Sequence, residues 1–172
     1  MTTSREMVLV GGVVSALRVR GSWTGETHIQ KTAYIAKIKR DIPFESDFVL
    51  YKHGPYSFDL NKSLGHMLSR NLLVSHSNPG YGPSYGINAA LWGALNSGLG
   101  GYYAKFQEAV EEIADRLARK NVSELEKIAT AVFVSTEYAG SSMRERAAVI
   151  SKIKPHIAQE AALESLAEAD QI

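Results

Sequence analysis

The feature that most constrains the fold is a pair of β-prone segments separated by a proline- and glycine-rich turn. The segments LLVSHS and SYGINA lie on either side of NPGYGP, within residues 72–89. This pattern is typical of a β-hairpin. The segments before and after it have mostly helical periodicity. The sequence therefore predicts a mainly α-helical protein that carries a small β-hairpin.

Two helices are predicted at the start of the chain. Thr3 and Glu6 have the spacing of a capping box, in which the Glu6 side chain reaches back to the Thr3 backbone. This first helix runs to about Arg20. Thr27 caps a second helix that reaches about Arg40 and is apolar on two arcs, which predicts two packing partners.

The paired glycines Gly11 and Gly12 interrupt the first helix. Each costs about 1 kcal/mol relative to alanine in a helix interior. Close packing of another backbone is the usual compensation, and we expect it here.

A short strand, Phe48 to Lys52, and a third helix, Ser57 to about Arg70, precede the hairpin. Gly54 suits a tight turn with positive φ, and Ser57 can cap the third helix. Helix, turn, helix, strand, helix, hairpin is the order of a winged helix, a helix-turn-helix variant. We predict a winged-helix-like part over residues 1–98.

The C-terminal part is predicted to be a helical extension, residues 99–172, packed on the first part as one unit. The glycine-rich segment ALNSGLGGYY joins the two parts, and one helix then spans Tyr102 to Lys120. Ser123 and Ser142 open two further helices by the capping-box spacing. Pro155 fits the first turn of a last helix.

Composition excludes several kinds of chemistry. The 172 residues include no cysteine, so disulfides, thiolate catalysis and cysteine-based zinc sites are absent. The five histidines lack helical i, i+3 or i, i+4 spacing, so we predict no metal site. A Ser57–His53 pair is conceivable, but a helix cap explains Ser57 better. With neither a nucleophile elbow nor a phosphate loop, no cofactor and no enzymatic activity are predicted.

Charge and hydropathy also limit the possibilities. Residues 1–76 carry 10 basic against 6 acidic residues, whereas residues 77–172 carry 9 against 12. The positive half favours an anionic partner only weakly. The apolar run from Met7 to Leu17 is too short to span a membrane and is interrupted by Arg18, so we interpret it as a core helix. A cytoplasmic location agrees with the lack of cysteine.

One set of polar and aromatic residues is predicted to contact a partner, either a protein or a nucleic acid. These candidates come from the second and third helices, the strand and the hairpin: His28, Lys31, Lys52, His53, Tyr56, Lys62, Arg70, Tyr81 and Tyr85. In a winged helix, the third helix and the wing approach a duplex. That helix offers only Lys62 and Arg70 as cations, which weakens the argument for direct DNA binding.

An acidic stripe marks the last predicted helix. Glu160, Glu164 and Glu168 repeat every four residues, and like charges at this spacing repel one another. The stripe is interpreted as a solvated face. The alternative is a surface that meets a basic partner.

Three segments carry a resemblance to a known family: THIQKTAYIAKI, YKHGPYSFDL and LGHMLSRNLLV. Together they resemble the YwgA-like family, which is related in outline to the Panacea (SocA-like) antitoxin domains. The matching positions are Gln30, Lys31, Tyr34, Tyr51, the Gly54-Pro55-Tyr56-Ser57 block, Leu60, Leu64 and Leu72. The resemblance covers about residues 7–90, and the residues after Gly140 match no family.

The resemblance implies a non-catalytic, winged-helix-like domain of a bacterial toxin–antitoxin or anti-phage defence module. The expected partner is another protein, such as a neighbouring toxin or defence effector. A winged-helix DNA-binding regulator is the alternative. Self-association is left open.

Overall fold

The computed structural model describes residues 2–172, and this part of the chain contains eight α-helices, one short 3-10 helix and two antiparallel β-hairpins. The prediction of a mainly α-helical protein with a small hairpin is confirmed. In chain order the elements are α1 (Ser4–Val19), α2 (Glu26–Arg40), β1 (Val49–Tyr51), β2 (Gly54–Tyr56), α3 (Phe58–Ser69), β3 (Leu73–Asn78), β4 (Tyr81–Ile87), α4 (Ala89–Gly98), the 3-10 helix (Tyr102–Lys105), α5 (Gln107–Leu117), α6 (Val122–Glu137), α7 (Met143–Ile153) and α8 (Gln159–Asp170).

The core is built around α1, α2 and α6, whose apolar residues are buried nearly all round. Helix α2 packs against α1 on one side and against α5 and α6 on the other, so the two predicted packing partners are present. One hydrophobic cluster includes residues from both halves of the chain. The N-terminal and C-terminal helices therefore share a core.

The start of α1 differs from a capping box. Thr3 does cap the helix, since its hydroxyl accepts a hydrogen bond from the Glu6 N–H at 3.2 Å. The buried Glu6 carboxylate instead accepts from the Glu45 N–H at 2.7 Å and from the Ser46 hydroxyl at 2.5 Å. Burial raises the pKa of Glu6, and these hydrogen bonds oppose the shift. The side chain fastens the loop after α2 to α1.

Aromatic rings, and not another backbone, cover the paired glycines of α1. A Cβ on Gly11 would overlap the Trp92 ring, and one on Gly12 would overlap the Tyr103 ring. Trp92 donates its indole N–H to the Val8 carbonyl at 3.0 Å. The glycines thus make room for two rings that lie 5.3 Å apart.

Trp92 belongs to α4, a helix absent from the sequence prediction. The glycine-rich segment was expected to be an irregular joint, but its first part is helical and capped by Asn88, whose side chain accepts from the Leu91 N–H at 3.3 Å. The helix predicted from Tyr102 to Lys120 is likewise divided, at Phe106, into the 3-10 helix and α5.

Three predicted helix starts are corrected. Gly25, and not Thr27, is the N-cap of α2, so the helix begins two residues earlier than predicted, at Glu26. Asn121, and not Ser123, forms the capping box of α6, together with Glu124. Pro155 lies in the turn between α7 and α8 instead of in the first turn of the last helix. The capping boxes of Asn121 and Ser142 are complete, so the Ser142 prediction is confirmed.

The two hairpins are separate sheets. The predicted hairpin is confirmed as β3–β4, with Leu73 opposite Ile87 and a register shift between His76 and Asn78. The predicted strand, β1, pairs with β2, which the sequence had suggested to be only a turn before α3. The turn is formed by Lys52 and His53, and Gly54, the predicted turn residue, is the first residue of β2.

Within residues 2–172, none of the helices combines the length and the apolar character needed to cross a bilayer.

Candidate functional site

Two buried lysines donate hydrogen bonds to the backbone carbonyls of the β1–β2 hairpin. Lys31 of α2 donates to the Pro55 carbonyl at 2.7 Å. Lys154, after α7, donates to the carbonyls of Tyr51 and Lys52, both at 2.5 Å. A two-stranded ribbon of three residues per strand is only marginally stable alone. The ammonium groups supply the additional hydrogen bonds that fix it on the helices.

The end of the hairpin is fixed by a side-chain amide. Gln30 accepts from the Ser57 N–H at 2.9 Å and donates to the Ser57 carbonyl at 2.8 Å. The Ser57 hydroxyl accepts from the Leu60 N–H at 3.1 Å, which confirms the predicted cap of α3. Gly54 has a φ of +81°, as its predicted turn role requires. Both ends of the Gly54–Ser57 block are therefore anchored.

Three aromatic side chains lie on the outer side of this anchored hairpin. The ring centroids of Tyr51 and Tyr56 lie 5.8 Å apart, and the Phe58 ring lies 5.4 Å from Tyr51 and 5.1 Å from Tyr56. Phe58 is 50% exposed and Tyr51 is 45% exposed. We call Tyr51, Tyr56 and Phe58 the aromatic surface. It is an apolar cluster left open on a rigid support.

Tyr56 also connects this surface to α2. Its hydroxyl donates to the Glu26 carboxylate at 2.7 Å. Burial, then the hydrogen bond to Glu26 and the charge of that carboxylate, raise the pKa of Tyr56 to about 12. The phenol therefore remains a neutral donor at physiological pH.

A charged network lies beneath the hairpin. The buried Glu126 carboxylate of α6 lies 3.1 Å from His156 Nε2 and 3.5 Å from His53 Nδ1. Burial lowers the pKa of Lys31 to about 8, against the opposing attraction of Glu126. Burial likewise lowers the pKa of Lys154, again opposed by Glu126. One carboxylate thus offsets part of the cost of burying two ammonium groups.

A cavity of about 740 Å³ lies on the other side of Glu26. Trp23 and Tyr81 line one side of it, with ring centroids 5.6 Å apart. Arg119 and Lys120, at the end of α5, line the opposite part. The cavity combines aromatic rings, two cations and one carboxylate.

His28 lies in the wall of this cavity and is only 5% exposed. Its Nε2 lies 3.0 Å from the Lys120 carbonyl, which can only accept, so Nε2 carries the proton. Burial lowers the pKa of His28, and the hydrogen bond to the carbonyl opposes that shift. Its buried Nδ1 has no hydrogen-bond partner among the described residues. The neutral ring therefore has one unused acceptor.

The predicted contact residues separate into an outer and an inner group. Lys52, His53 and Tyr81 are exposed at the turns of the two hairpins. Lys31 and Tyr85 are buried in the protein, where they cannot reach a partner in this conformation.

On α3, the cations are less free than the sequence suggested. The Lys62 ammonium lies 3.1 Å from the Asp59 carboxylate, whereas Arg70 follows the helix as its C-cap and uses only its backbone N–H for capping. Both side chains remain exposed.

The acidic stripe of α8 is partly used within the chain. Glu160 and Glu164 are exposed, whereas Glu168 lies 2.6 Å from the Lys120 ammonium. This ion pair raises the pKa of Lys120. The stripe therefore joins α8 to the end of α5, next to the cavity.

In the part of the chain that the structure describes, histidines and carboxylates form no cluster of three or more that could hold a metal ion. Glu126 contacts two histidines, but through different carboxylate oxygens, Oε2 to His53 and Oε1 to His156.

Sequence reasoning missed several residues of this region. Phe58, Trp23 and Glu126 were not among the candidates, although the first two are exposed aromatic residues. Aromatic residues at 51, 56 and 58 are visible in the sequence. They come together only because the chain turns at Lys52 and His53, whereas the sequence predicted that the strand continues through Lys52.

Neither the models of known protein families nor the curated proteins include a match to this chain. The resemblance to YwgA-like proteins stays a prediction.

Proposed function

We propose that this protein is a non-enzymatic binding module whose partner is another protein, bound at the aromatic surface. The observation that carries the proposal is the exposed cluster of Tyr51, Tyr56 and Phe58 on a hairpin anchored by buried lysines. Aromatic residues dominate the energetics of protein interfaces. A rigid support reduces the conformational entropy lost on binding.

The charges around the surface indicate which partner fits. Lys52 and His53 are exposed at the turn beside the rings, and the Lys52 ammonium lies 6.0 Å from the Tyr51 ring centroid. Lys62 lies on the adjoining helix α3, next to Asp59. A partner segment with apolar side chains flanked by carboxylates would complement this arrangement.

The resemblance to YwgA-like and Panacea domains gives the proposal its biological setting. An antitoxin, or a subunit of an anti-phage defence module, would bind a protein encoded beside it. The winged-helix-like arrangement of residues 1–98 belongs to this proposal, supported by the order of helices and by the β3–β4 hairpin.

Binding studies with the proteins encoded by adjacent genes test the proposal. Each neighbour is co-expressed with the wild-type chain, and complex formation and relief of toxicity are measured. The double variant Tyr51→Ala/Phe58→Ala should weaken the complex at least tenfold, about 1.4 kcal/mol, because it removes two rings of the proposed interface.

Tyr138→Ala is the matched control, because Tyr138 is 46% exposed and lies at the end of α6. It should leave the affinity unchanged. If no neighbour binds or is neutralised, or if the double variant binds like the wild type, the proposal is wrong.

A DNA-binding regulator is the second candidate, supported by exposed Arg70 and Lys62 on α3 and by exposed Tyr81 on the β3–β4 hairpin. The Lys62–Asp59 ion pair makes it the weaker of the two. It predicts duplex binding whose affinity falls steeply with salt, because phosphate contacts release counterions. Absence of a mobility shift at low salt would contradict it.

A further inference from the structure

The cavity beside Glu26 is separate from the aromatic surface and has the properties of a small-molecule site. Its volume of about 740 Å³ falls within the range of about 300–1,000 Å³ that is common for ligand pockets. It is formed where three parts of the chain meet: the start of α2, the turn of the β3–β4 hairpin and the α5–α6 connection. Residues far apart in sequence therefore line one space.

One part of the cavity offers aromatic faces. Trp23 and Tyr81 are both exposed although they lie against each other, with a centroid distance of 5.6 Å. Gly25 leaves room for the Trp23 ring, because an added Cβ there would lie 2.9 Å from it. A planar ring in the cavity would find a π-face at this side.

Another part of the cavity favours negative charge. Arg119 is exposed and forms no ion pair with any of the described residues. Helix α2 also starts at the cavity, but its first residue, Glu26, places a carboxylate at that helix end, so Arg119 is the group suited to an anion. A guanidinium is suited to phosphate oxygens.

The remaining polar groups add hydrogen-bonding capacity to the cavity wall. One Glu26 oxygen accepts from Tyr56, and the other has no hydrogen bond among the described residues. His28 Nδ1 also lacks a partner among the described residues, but this atom is enclosed by protein and is not open to the cavity in this conformation. The free Glu26 oxygen can accept from N–H or O–H donors. A ligand that fits carries a planar ring, donor groups and an anionic end.

We propose that this cavity binds a nucleotide, with the base against Trp23 and Tyr81, the phosphate at Arg119, and a sugar or base donor at Glu26. The nucleotide is either a free mononucleotide or the phosphorylated end of a single-stranded nucleic acid, since both present the same groups.

Calorimetry and tryptophan fluorescence test this on the full chain. The probes are AMP, CMP, adenosine and inorganic phosphate. Trp23 is one of two tryptophans, and the other, Trp92, packs against α1 away from the cavity. A nucleotide should quench the fluorescence of Trp23 and release heat. Adenosine and phosphate, which each offer half of the contacts, should bind at least tenfold more weakly than AMP.

Two variants locate the site. Trp23→Ala and Arg119→Gln should each weaken AMP binding about tenfold, the size of effect typical of one stacked base or one charged contact. Arg144→Gln is the matched control, because Arg144 is also exposed but lies beyond the far end of α6, roughly 24 Å along that 16-residue helix. It should leave AMP binding unchanged.

Three outcomes would overturn the proposal: no binding of AMP or CMP at millimolar concentration, equal binding of phosphate and AMP, or binding that neither Trp23→Ala nor Arg119→Gln weakens. A comparison of AMP with a 5′-phosphorylated single-stranded pentanucleotide then identifies the source. Tighter binding of AMP indicates a free nucleotide, and tighter binding of the pentanucleotide indicates a strand end.

Discussion

The two hairpins of this protein are stabilised in different ways. The β3–β4 hairpin has strands of six and seven residues, and a ladder of backbone pairs runs from Leu73–Ile87 to Asn78–Tyr81. The β1–β2 hairpin has only three residues per strand. It depends instead on hydrogen bonds from Lys31, Lys154 and Gln30, which come from distant helices.

The comparison explains where a recognition surface can form. The short hairpin uses its inner side for anchoring, so its backbone is fixed while its aromatic rings stay open to solvent. The long hairpin is stabilised by the backbone hydrogen bonds between its own strands. Tyr81, which follows its turn, lines one side of the cavity. Dependence on distant residues should make the short hairpin the more sensitive of the two to mutation.

The largest expected difference comes from a matched pair of glycines. Gly54 and Gly80 have nearly the same φ, +81° and +84°. An added Cβ at Gly54 would lie 2.9 Å from Thr130 Oγ1 and 3.3 Å from the Glu126 carbonyl, whereas at Gly80 nothing lies within 4 Å. Gly54→Ala should therefore lower the free energy of unfolding by about 3 kcal/mol and Gly80→Ala by about 1 kcal/mol.

Urea denaturation of both variants measures this difference. Equal losses of stability would show that the contact of Gly54 with α6 costs the alanine variant nothing beyond the cost of its positive φ, and would contradict the prediction.

The second prediction concerns pH. The folded-state pKa of Lys31 is about 8, below its ordinary value of 10.5, so the unfolded chain binds this proton more tightly. Below pH 8 the residue is protonated in both states and contributes no slope. Between pH 8 and 10 the wild type should gain roughly 2 kcal/mol of stability relative to Lys31→Met, since one pKa unit corresponds to about 1.36 kcal/mol.

Denaturation curves of wild type and Lys31→Met across this pH range test the sign. Lys62→Met, at an exposed lysine of α3, serves as the control and should follow the wild-type slope. A wild-type slope equal to that of Lys31→Met would mean that the buried ammonium does not titrate as proposed.

A smaller effect is expected at the hydroxyl of Tyr56. Tyr56→Phe removes the 2.7 Å hydrogen bond to Glu26 but keeps the ring, so the loss of stability should be about 1 kcal/mol. Tyr81→Phe has no such bond to lose among the described residues and should be neutral. Thermal unfolding of both variants distinguishes the two tyrosines, and equal melting temperatures would refute the difference.

The smallest effect is expected at the long hairpin. Tyr81 is 75% exposed, and its main contact is the Trp23 ring. Tyr81→Ser should lower the free energy of unfolding by about 0.5 kcal/mol, the value of a weak aromatic pair at a surface. A loss above that of Tyr56→Phe would show that the β3–β4 turn is more than a local structure.

Several parts of the fold were predictable because their signals are local. The β3–β4 hairpin follows from a Pro/Gly turn between β-prone segments. Thr3, Ser57 and Ser142 cap helices as their positions indicate. Gly54 takes the positive φ that its turn requires. Each of these depends on residues within about four positions of each other, a range over which sequence determines geometry directly.

Other parts depended on contacts that no local pattern reveals. Two capping boxes of equal spacing competed at the start of α6, Asn121–Glu124 and Ser123–Glu126. The Asn121–Glu124 box is the one present, and the Glu126 carboxylate instead faces His156 and His53. Helix α4 exists despite its glycines because Trp92 packs on α1.

For the candidate site, the sequence by itself identified the GPYS block, its capping serine and its exposed hairpin residues. Helix packing, which no local pattern reveals, turns Lys31 inward to hold that block and brings Tyr51, Tyr56 and Phe58 together outside it. The reason is physical. Whether a lysine is solvated or buried depends on which carbonyls and carboxylates the packed helices bring to it, and for Lys31 the hydrogen-bonded carbonyl of Pro55 lies 24 residues away and Glu126 still farther.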